Sequence, residues 1–429
     1  MLAEFGRARP RIALLPSLRQ LTLNAKNAQY ASLFIHPDLV KLVVHLDARF
    51  LEAWGMTGIN NFLLELPTFS PGLQALVIRA SYSVTKIQAT LCEMFPMLPC
   101  MQEVSLPRYW LTPKIILALA MVRSLRRVDW EYIANGQGEL NDITNFVTPI
   151  FRSGFHNLSD LSLEIDIPVA HRFLASSGLF KQLSSFFIRT VNVPTPSHLR
   201  DLLQVFFENG SILKKLFIDG FPNSPRAAEK ESIVTSETLE AILDSSQLTH
   251  FSLYWPAHLH IMDTDIELLS RKSPKLQRLS LGPWPYFPAA PSLTLEALFP
   301  LLRNCPKMEY IGLYIDTTII PPIPKDIRRP FKRMHIFNFG FSHLDDGKTE
   351  KMALLLSRLC TLQPHFQTLS VLSGPGWEMV YRDAYKETDG SYKNWKTVSQ
   401  FLPMLVTCRD EERLKVRQVT KQLEALTMH

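Results

Sequence analysis

The chain has 429 residues, 46% hydrophobic and 20% charged, with a formal net charge of +6. Such a composition belongs to a folded chain and excludes a disordered one. Lys and Arg are interspersed with Asp and Glu and never form a run of five, which argues against a nucleic-acid partner.

The opening stretch, MLAEFGRARPRIALLPSL, has no apolar run of signal-peptide length before Pro16. The most apolar stretch, IILALAMV (115–122), falls well short of the roughly 20 residues that cross a bilayer, so no membrane association is expected. Sequons at Asn157 and Asn209 are read as chance. Five cysteines, Cys92, Cys100, Cys305, Cys360 and Cys408, form no CxxC pair. They suit reduced thiols, and with them a cytoplasmic or nuclear protein.

From residue 18 one pattern recurs in chain order: φxxφxφ, where φ is apolar. Its copies are LRQLTL (18–23), LVKLVV (39–44), LQALVI (73–78), MQEVSL (101–106), LRRVDW (125–130), LSDLSL (158–163), LSSFFI (183–188), LKKLFI (213–218), LTHFSL (248–253), LQRLSL (276–281), MEYIGL (308–313), MHIFNF (334–339) and FQTLSV (366–371). Successive copies start about 21 to 35 residues apart, the period of a repeat array. Pro16, Pro37, Pro71, Pro274 and Pro306 each stand two residues ahead of a copy, where a fixed φ suits a turn into an extended segment. The last two φ positions are two apart, so in a strand they share a side. The x residues then face solvent, among them Arg127, Asp129, Asp160, Lys215, His250 and Arg278.

Between the strands lie segments of helical period: 85–98, 197–210 with Gly210 as a stop, 236–246 with Ser236 as N-cap, 294–306 and 348–360. One short strand cannot bury its apolar side alone, but stacked copies can. A doubly wound sheet, covered on both faces, would show strands apolar throughout, and these have a wet face. The reading is an α/β solenoid of about thirteen irregular repeats, with a parallel sheet on the concave face and helices on the convex face. Its bounds are an N-terminal tail (1–13), the repeat array (14–373) and a C-terminal capping segment (374–429) with a charged helix from about Val398. No cap is visible ahead of the first copy, which suggests missing sequence or an obligatory partner.

SPGLQALVI, FHNLSDLSL, SPKLQRLSL and NCPKMEYIGL resemble leucine-rich repeats of the ribonuclease-inhibitor-like class, and in particular the fungal F-box/leucine-rich-repeat-like proteins. The resemblance covers roughly residues 14 to 373, and NWKTVSQFLPMLVTCRDEERLKVRQV (394–419) is similar to the end helix of such arrays. It implies the substrate-recognition part of an SCF-type ubiquitin ligase adaptor. The family's F-box, which binds a Skp1-type adaptor, is not visible in MLAEFGRARPRIA, so that partner is expected only if an F-box lies upstream. The Asn that follows the family's strands is matched clearly only by Asn27; other contacts must hold the remaining arcs.

No GxSxG, HExxH, GxxxxGK[ST] or GxGxxG occurs, and His258 with His260 lacks a third ligand at recognisable spacing. No catalytic residue, cofactor or metal is assigned. Outward strand positions instead suggest two surfaces. Asp129, Glu131, Asp160 and Glu164 gather carboxylates on adjacent strands, with Arg127 and Arg189 at the margin: an acidic dock for a basic segment, or a solvated face of scattered charge. Tyr254, Tyr310 and Tyr314, with Phe187 and Phe217, and with Trp255, Trp284, Tyr286 and Phe287 from the following loops, form an aromatic set: a binding patch, or rings folded down over the sheet. The functional expectation is a non-enzymatic scaffold that binds a protein on the concave face. The alternatives are a free-standing repeat protein unrelated to ubiquitin and, from another class, a hydrolase.

Overall fold

The computed structural model describes residues 15–24, 26–27, 30–130, 138–144, 146–149, 154–207, 212–221, 233–243, 245–285, 289–327, 330–361 and 390–427. The chain divides into two units, Met1–Val191 with Gln204–Leu213, and Asn192–Leu203 with Lys214–His429.

The first unit carries β1 (Gln20–Leu23), β2 (Lys41–Leu46), β3 (Ala75–Ala80), β4 (Glu103–Leu106), β5 (Arg127–Trp130), β6 (Asp160–Glu164) and β7 (Ser185–Arg189), each paired parallel with the next. Its helices are α1 (Ala31–Phe34), α2 (Ala48–Phe69), α3 (Gln88–Met94), α4 (Pro113–Ala120), α5 (Asn141–Thr144) and α6 (Ile167–Ser177). Helices α2, α3 and α4 pack side by side in sequence order. α2 is interrupted at Gly55, whose φ of 61° lies in the left-handed region that glycine adopts without strain. The unit boundary passes through α7 (Pro196–Phe207).

The second unit carries β8 (Lys215–Asp219), β9 (His250–Tyr254), β10 (Arg278–Leu281), β11 (Tyr310–Leu313) and β12 (Ile336–Asn338), again parallel and in chain order. Its helices are α8 (Glu240–Leu243), α9 (Asp263–Lys272), α10 (Leu298–Asn304), α11 (Thr349–Leu359) and α12 (Gly390–Thr427). Two short parallel pairs, Val234–Thr235 with Leu259–His260 and Leu293–Thr294 with Ile315–Asp316, lead toward its helices. The fold is an α/β leucine-rich-repeat solenoid built on these twelve parallel strands.

The apolar positions of the repeat explain the core. In all eleven copies from Leu39 to Phe339, the three φ side chains are buried. The edge copy is looser: Leu23 is buried, while Leu18 and Leu21 are half-buried. The thirteenth copy, 366–371, lies outside the described residues. Register is fixed at the strand entry, where the backbone N–H groups of two consecutive residues donate to one carbonyl of the preceding repeat. In the first unit Gln74 and Ala75 bond Val40 O, Gln102 and Glu103 bond Gln74 O, and Arg126 and Arg127 bond Gln102 O. In the second, Thr249 and His250 bond Lys214 O, Gln277 and Arg278 bond Thr249 O, and Glu309 and Tyr310 bond Gln277 O.

Side chains in the turns ahead of the strands tie neighbouring repeats in the same sense. Ser70 Oγ donates to His36 O at 2.8 Å, Ser124 Oγ to Pro99 O at 2.7 Å and Ser273 Oγ to Ser245 O at 2.8 Å. After β1, Asn27 Nδ2 donates to Thr22 O at 3.0 Å, the arc contact its position implied. Elsewhere other groups hold the arc: Asp219 Oδ1 accepts from Phe221 N, and Asn338 Oδ1 from Gly340 N, each at 3.1 Å. Ser236 is not the helix cap expected of it. It opens a 3-10 turn, Ser236–Leu239, that precedes α8, and Thr235 stands at the cap position.

The end helix α12 packs on α11. Val398, Leu402 and Val406 are buried, whereas Leu414, Val416, Val419 and Leu423 are more than half exposed. Its anchor is Trp395, 1% exposed, which lies 5.0 Å from Phe339 and donates Nε1–H to Ser342 O at 2.8 Å. Trp395→Ala is expected to lower unfolding free energy by about 3–5 kcal/mol in urea titrations, from lost burial and the cavity it leaves; a loss below about 1 kcal/mol would show that the helix does not depend on this anchor.

Candidate functional site

The strand faces are best followed in rows, because register partners stand side by side about 4.8 Å apart. In the first unit the row at the strand entries runs Gln20, Lys41, Ala75, Glu103, Arg127, Asp160 and Ser185. Its charges alternate, and Arg127 reaches Glu103 at 4.0 Å with both side chains about half exposed. The next row, Thr22, Val43, Val77, Ser105, Asp129, Ser162 and Phe187, is half-buried apart from exposed Thr22.

Among the described residues the acidic set is only partly open to solvent. Asp129 and Asp160 are half-buried, and Ser159 Oγ donates to Asp160 at 2.6 Å. Glu164, expected to face solvent, is 2% exposed, and both of its oxygens accept from the Nε and NH2 groups of Arg108 in a two-pronged pair. The cause is the loop after β4. It brings Arg108, itself 8% exposed, over the strand ends with its guanidinium 4.9 Å from the Tyr109 ring and 6.0 Å from Trp130. A carboxylate taken out of water needs such a counter-charge. Arg189, the register partner of Glu164, lies on the same edge. Glu131 lies outside the described residues.

In the second unit the aromatic residues fold down. Tyr254 is 1% exposed, Trp255 0% and Tyr310 5%, so the exposed aromatic patch is corrected to a packed one for these three. Trp284 and Tyr314 are half-buried, and Tyr286 and Phe287 lie outside the described residues. Room comes from small neighbours. Ser252, Ser280 and Gly312 are register partners in the middle of β9, β10 and β11. A Cβ on Gly312 would stand 2.6 Å from Ser280 Oγ and 3.0 Å from the Tyr310 ring. The Tyr310 hydroxyl accepts from Asn338 Nδ2 at 2.9 Å, and the Tyr254 ring packs on Phe217 at 5.3 Å. Burial pushes the Tyr254 hydroxyl well above the ordinary tyrosine range, so it stays protonated. Trp255 covers Gly220, whose Cβ would stand 2.8 Å from the indole, and Trp284 meets Phe341 edge-on at 5.0 Å. Tyr314 donates its hydroxyl to Ala289 O at 2.8 Å.

What stays accessible in the second unit is a basic row: exposed Lys215 on β8, then half-buried His250 on β9 and Arg278 on β10, all register partners. The Arg278 guanidinium lies 4.0 Å over the Tyr310 ring. Burial first, then Lys215 and Arg278, hold the His250 imidazole down to about 4, so it is neutral near pH 7. All three residues occupy the second x of their repeats, so the row was present in the pattern. It was missed because outward residues were grouped by acidity and aromaticity alone. Among the described residues no cluster of metal-ligand side chains occurs, and no helix is long and apolar enough to cross a membrane. All five cysteines are free; Cys305 and Cys360 are buried, and Cys100 and Cys408 exposed.

No protein-family model matches the chain, and no curated protein matches it. Among solved structures, a chain of the yeast Rad7–Elc1 complex aligns with 13% identity over 80% of this chain and 83% of its own length, at a TM-score of 0.38. A chain of the TLR13–ssRNA13 complex aligns with 13% identity over 86% of this chain and 52% of its own length, at a TM-score of 0.36.

Glu164→Ala is expected to destabilise the protein by about 3–5 kcal/mol, because it strands a buried guanidinium. Glu103→Ala, at an exposed pair, should cost about 1 kcal/mol or less, and the two are compared by denaturant titration. A second expectation concerns pH. His250 is held below its unfolded value, so the folded state resists its protonation, and stability should fall as pH drops from the ordinary imidazole range toward about 4. The thermal midpoint of His250→Gln should fall less over that window; parallel midpoint-against-pH curves would refute the assignment.

Proposed function

We propose that the chain is a non-enzymatic protein–protein interaction scaffold that uses the solvated strand faces of its repeats. The observation that carries the reading is the division of labour within each repeat: the φ side chains are buried from Leu39 to Phe339, while most second-x residues remain accessible at constant register. A parallel array of interchangeable side chains on a fixed frame is suited to recognising an extended partner. From the resemblance, the finer reading is the substrate-recognition part of an SCF-type ubiquitin ligase adaptor in the cytoplasm or nucleus. It requires an F-box encoded upstream to contact a Skp1-type adaptor. The 5′ end of the native transcript tests that part, followed by co-purification of its product with the adaptor.

The scaffold reading is tested by placing a photo-crosslinking amino acid at Ser162 or Ser185 on the strand face, and at Arg172 or Lys351 on helices. Crosslinks to a recurrent cellular protein are expected from the two strand positions and not from the helical ones. The reverse pattern would reject the strand face as the binding surface.

A further inference from the structure

The entry rows of the two units differ in charge. The first alternates and holds Lys41, Glu103, Arg127 and Asp160. The second reads Lys215, His250, Arg278, Tyr310 and Ile336, with no carboxylate. One row further along, Phe217, Ser252, Ser280, Gly312 and Asn338 add none. The nearest acid on β8, Asp219, is fully buried and accepts from Phe221 N. Glu309, at the foot of β11, lies 4.0 Å from Arg333. Among the described residues neither Lys215 nor Arg278 has an ion-pair partner. The Arg278 Nε is buried without a hydrogen-bond acceptor, and stacking on Tyr310 holds the guanidinium in place. A cation held in this way, half-exposed and without a counter-charge among the described residues, is open to an anionic group from outside the chain.

His250 narrows the kind of acceptor. Thr249 Oγ1 donates to Lys214 O at 2.9 Å, so its oxygen receives the Nδ1–H of His250, also at 2.9 Å. In the neutral ring Nε2 is therefore an acceptor, placed between the two cations. A single phosphate bridging Lys215 and Arg278 would press its oxygens against that lone pair. Two carboxylates, one at each cation, with a backbone amide or hydroxyl donor between them, satisfy all three groups. Lys215 and Arg278 stand two strands apart, about 9.6 Å. A polyproline-II segment repeats its side-chain direction every third residue, about 9.3 Å along the chain. With only two cations, the row is also far smaller than the set of phosphate contacts that sustains nucleic-acid binding.

We propose that Lys215, His250 and Arg278 form a recognition row for an acidic, extended peptide segment of a protein partner, with carboxylates three residues apart. The proposal rests on the scaffold reading and names the chemistry of what is bound.

The full chain is titrated against a fluorescein-labelled peptide of Glu-Ser-Gly repeats, read by anisotropy at low and at raised salt. Binding that weakens with salt is expected, and it should fall about tenfold or more in Lys215→Glu and in the Lys215→Glu/Arg278→Glu double variant. Arg127→Glu, in the charge-balanced first unit, should stay within about twofold. Because Lys215 is exposed and has no ion-pair partner among the described residues, its single variant is not expected to unfold, and thermal melting checks this. Three outcomes overturn the proposal: no binding by the wild type, equal binding by the reversal variants, or preferential binding of an oligothymidylate or inorganic polyphosphate that the same reversals abolish. Crosslinks from Ser162 or Ser185 that persist alongside any of these would leave the scaffold reading standing and remove only the acidic-peptide assignment.

Discussion

The fold depends on one repeated bond pattern: two consecutive backbone N–H groups entering each strand from β2 to β7 and from β9 to β12 share a single carbonyl of the repeat before. The donors come from the first and second x of one repeat, and the acceptor from the first x of its predecessor. Arg126 and Arg127 onto Gln102, and Glu309 and Tyr310 onto Gln277, are the same event at different places in the chain. Since the pairing is position to position, insertions between strands do not shift the register. They are absorbed in the helical arcs, which is why copies spaced unevenly in sequence still align residue for residue in β2 to β7 and in β8 to β12. A slip of one residue would turn every apolar side chain to the wet face, so the hydrophobic pattern and the shared carbonyl reinforce each other.

That coupling explains what was legible in the amino-acid sequence. The φ positions report burial that is decided locally, by alternation within a strand and by stacking of like on like. Residues such as Leu76, Val128 and Phe251 could therefore be placed without knowing any distant contact. Glu164 could not. Its fate is settled by Arg108, 56 positions away, and by a loop whose path no periodicity encodes. The aromatics failed for a related reason. Tyr254 and Tyr310 stand at outward positions, and only the row of small residues that Ser252, Ser280 and Gly312 form across three strands lets the rings lie flat. The helical arcs were placed correctly but idealised. Segments read as single helices begin as 3-10 turns, as at Ser236–Leu239 and Leu295–Ala297, because arcs this short must turn the chain within a few residues.

The same comparison separates two kinds of polar residue on the strand faces. The Arg108–Glu164 pair is enclosed and satisfies itself, so its charges are spent on holding the strand ends of the first unit. Among the described residues Lys215 and Arg278 remain exposed or half-exposed without a counter-ion, and the histidine between them is kept neutral by burial first and by the two cations second. Charge that a fold neutralises internally reads as architecture. Charge that it stacks on an aromatic ring and leaves without a counter-charge among the described residues stays available to a ligand.

This distinction bears on how substitutions in such a protein should be interpreted. In an ideal repeat the x positions are free to vary, and loss of binding on mutation identifies a contact. Here the second unit departs from the ideal. Its middle row is buried under Tyr254 and Tyr310, and Asn338 is tied to the Tyr310 hydroxyl. Replacing either tyrosine opens a cavity over the sheet and releases the ring on which Arg278 rests. Partner loss in those variants would follow from a displaced cation as readily as from a missing aromatic contact. Lys215 is free of this ambiguity, since its side chain is exposed and makes no hydrogen bond or ion pair among the described residues. Any assignment of recognition to this face therefore has to be anchored at Lys215 first and extended inward to Arg278, with the tyrosines treated as the floor on which the recognition row stands.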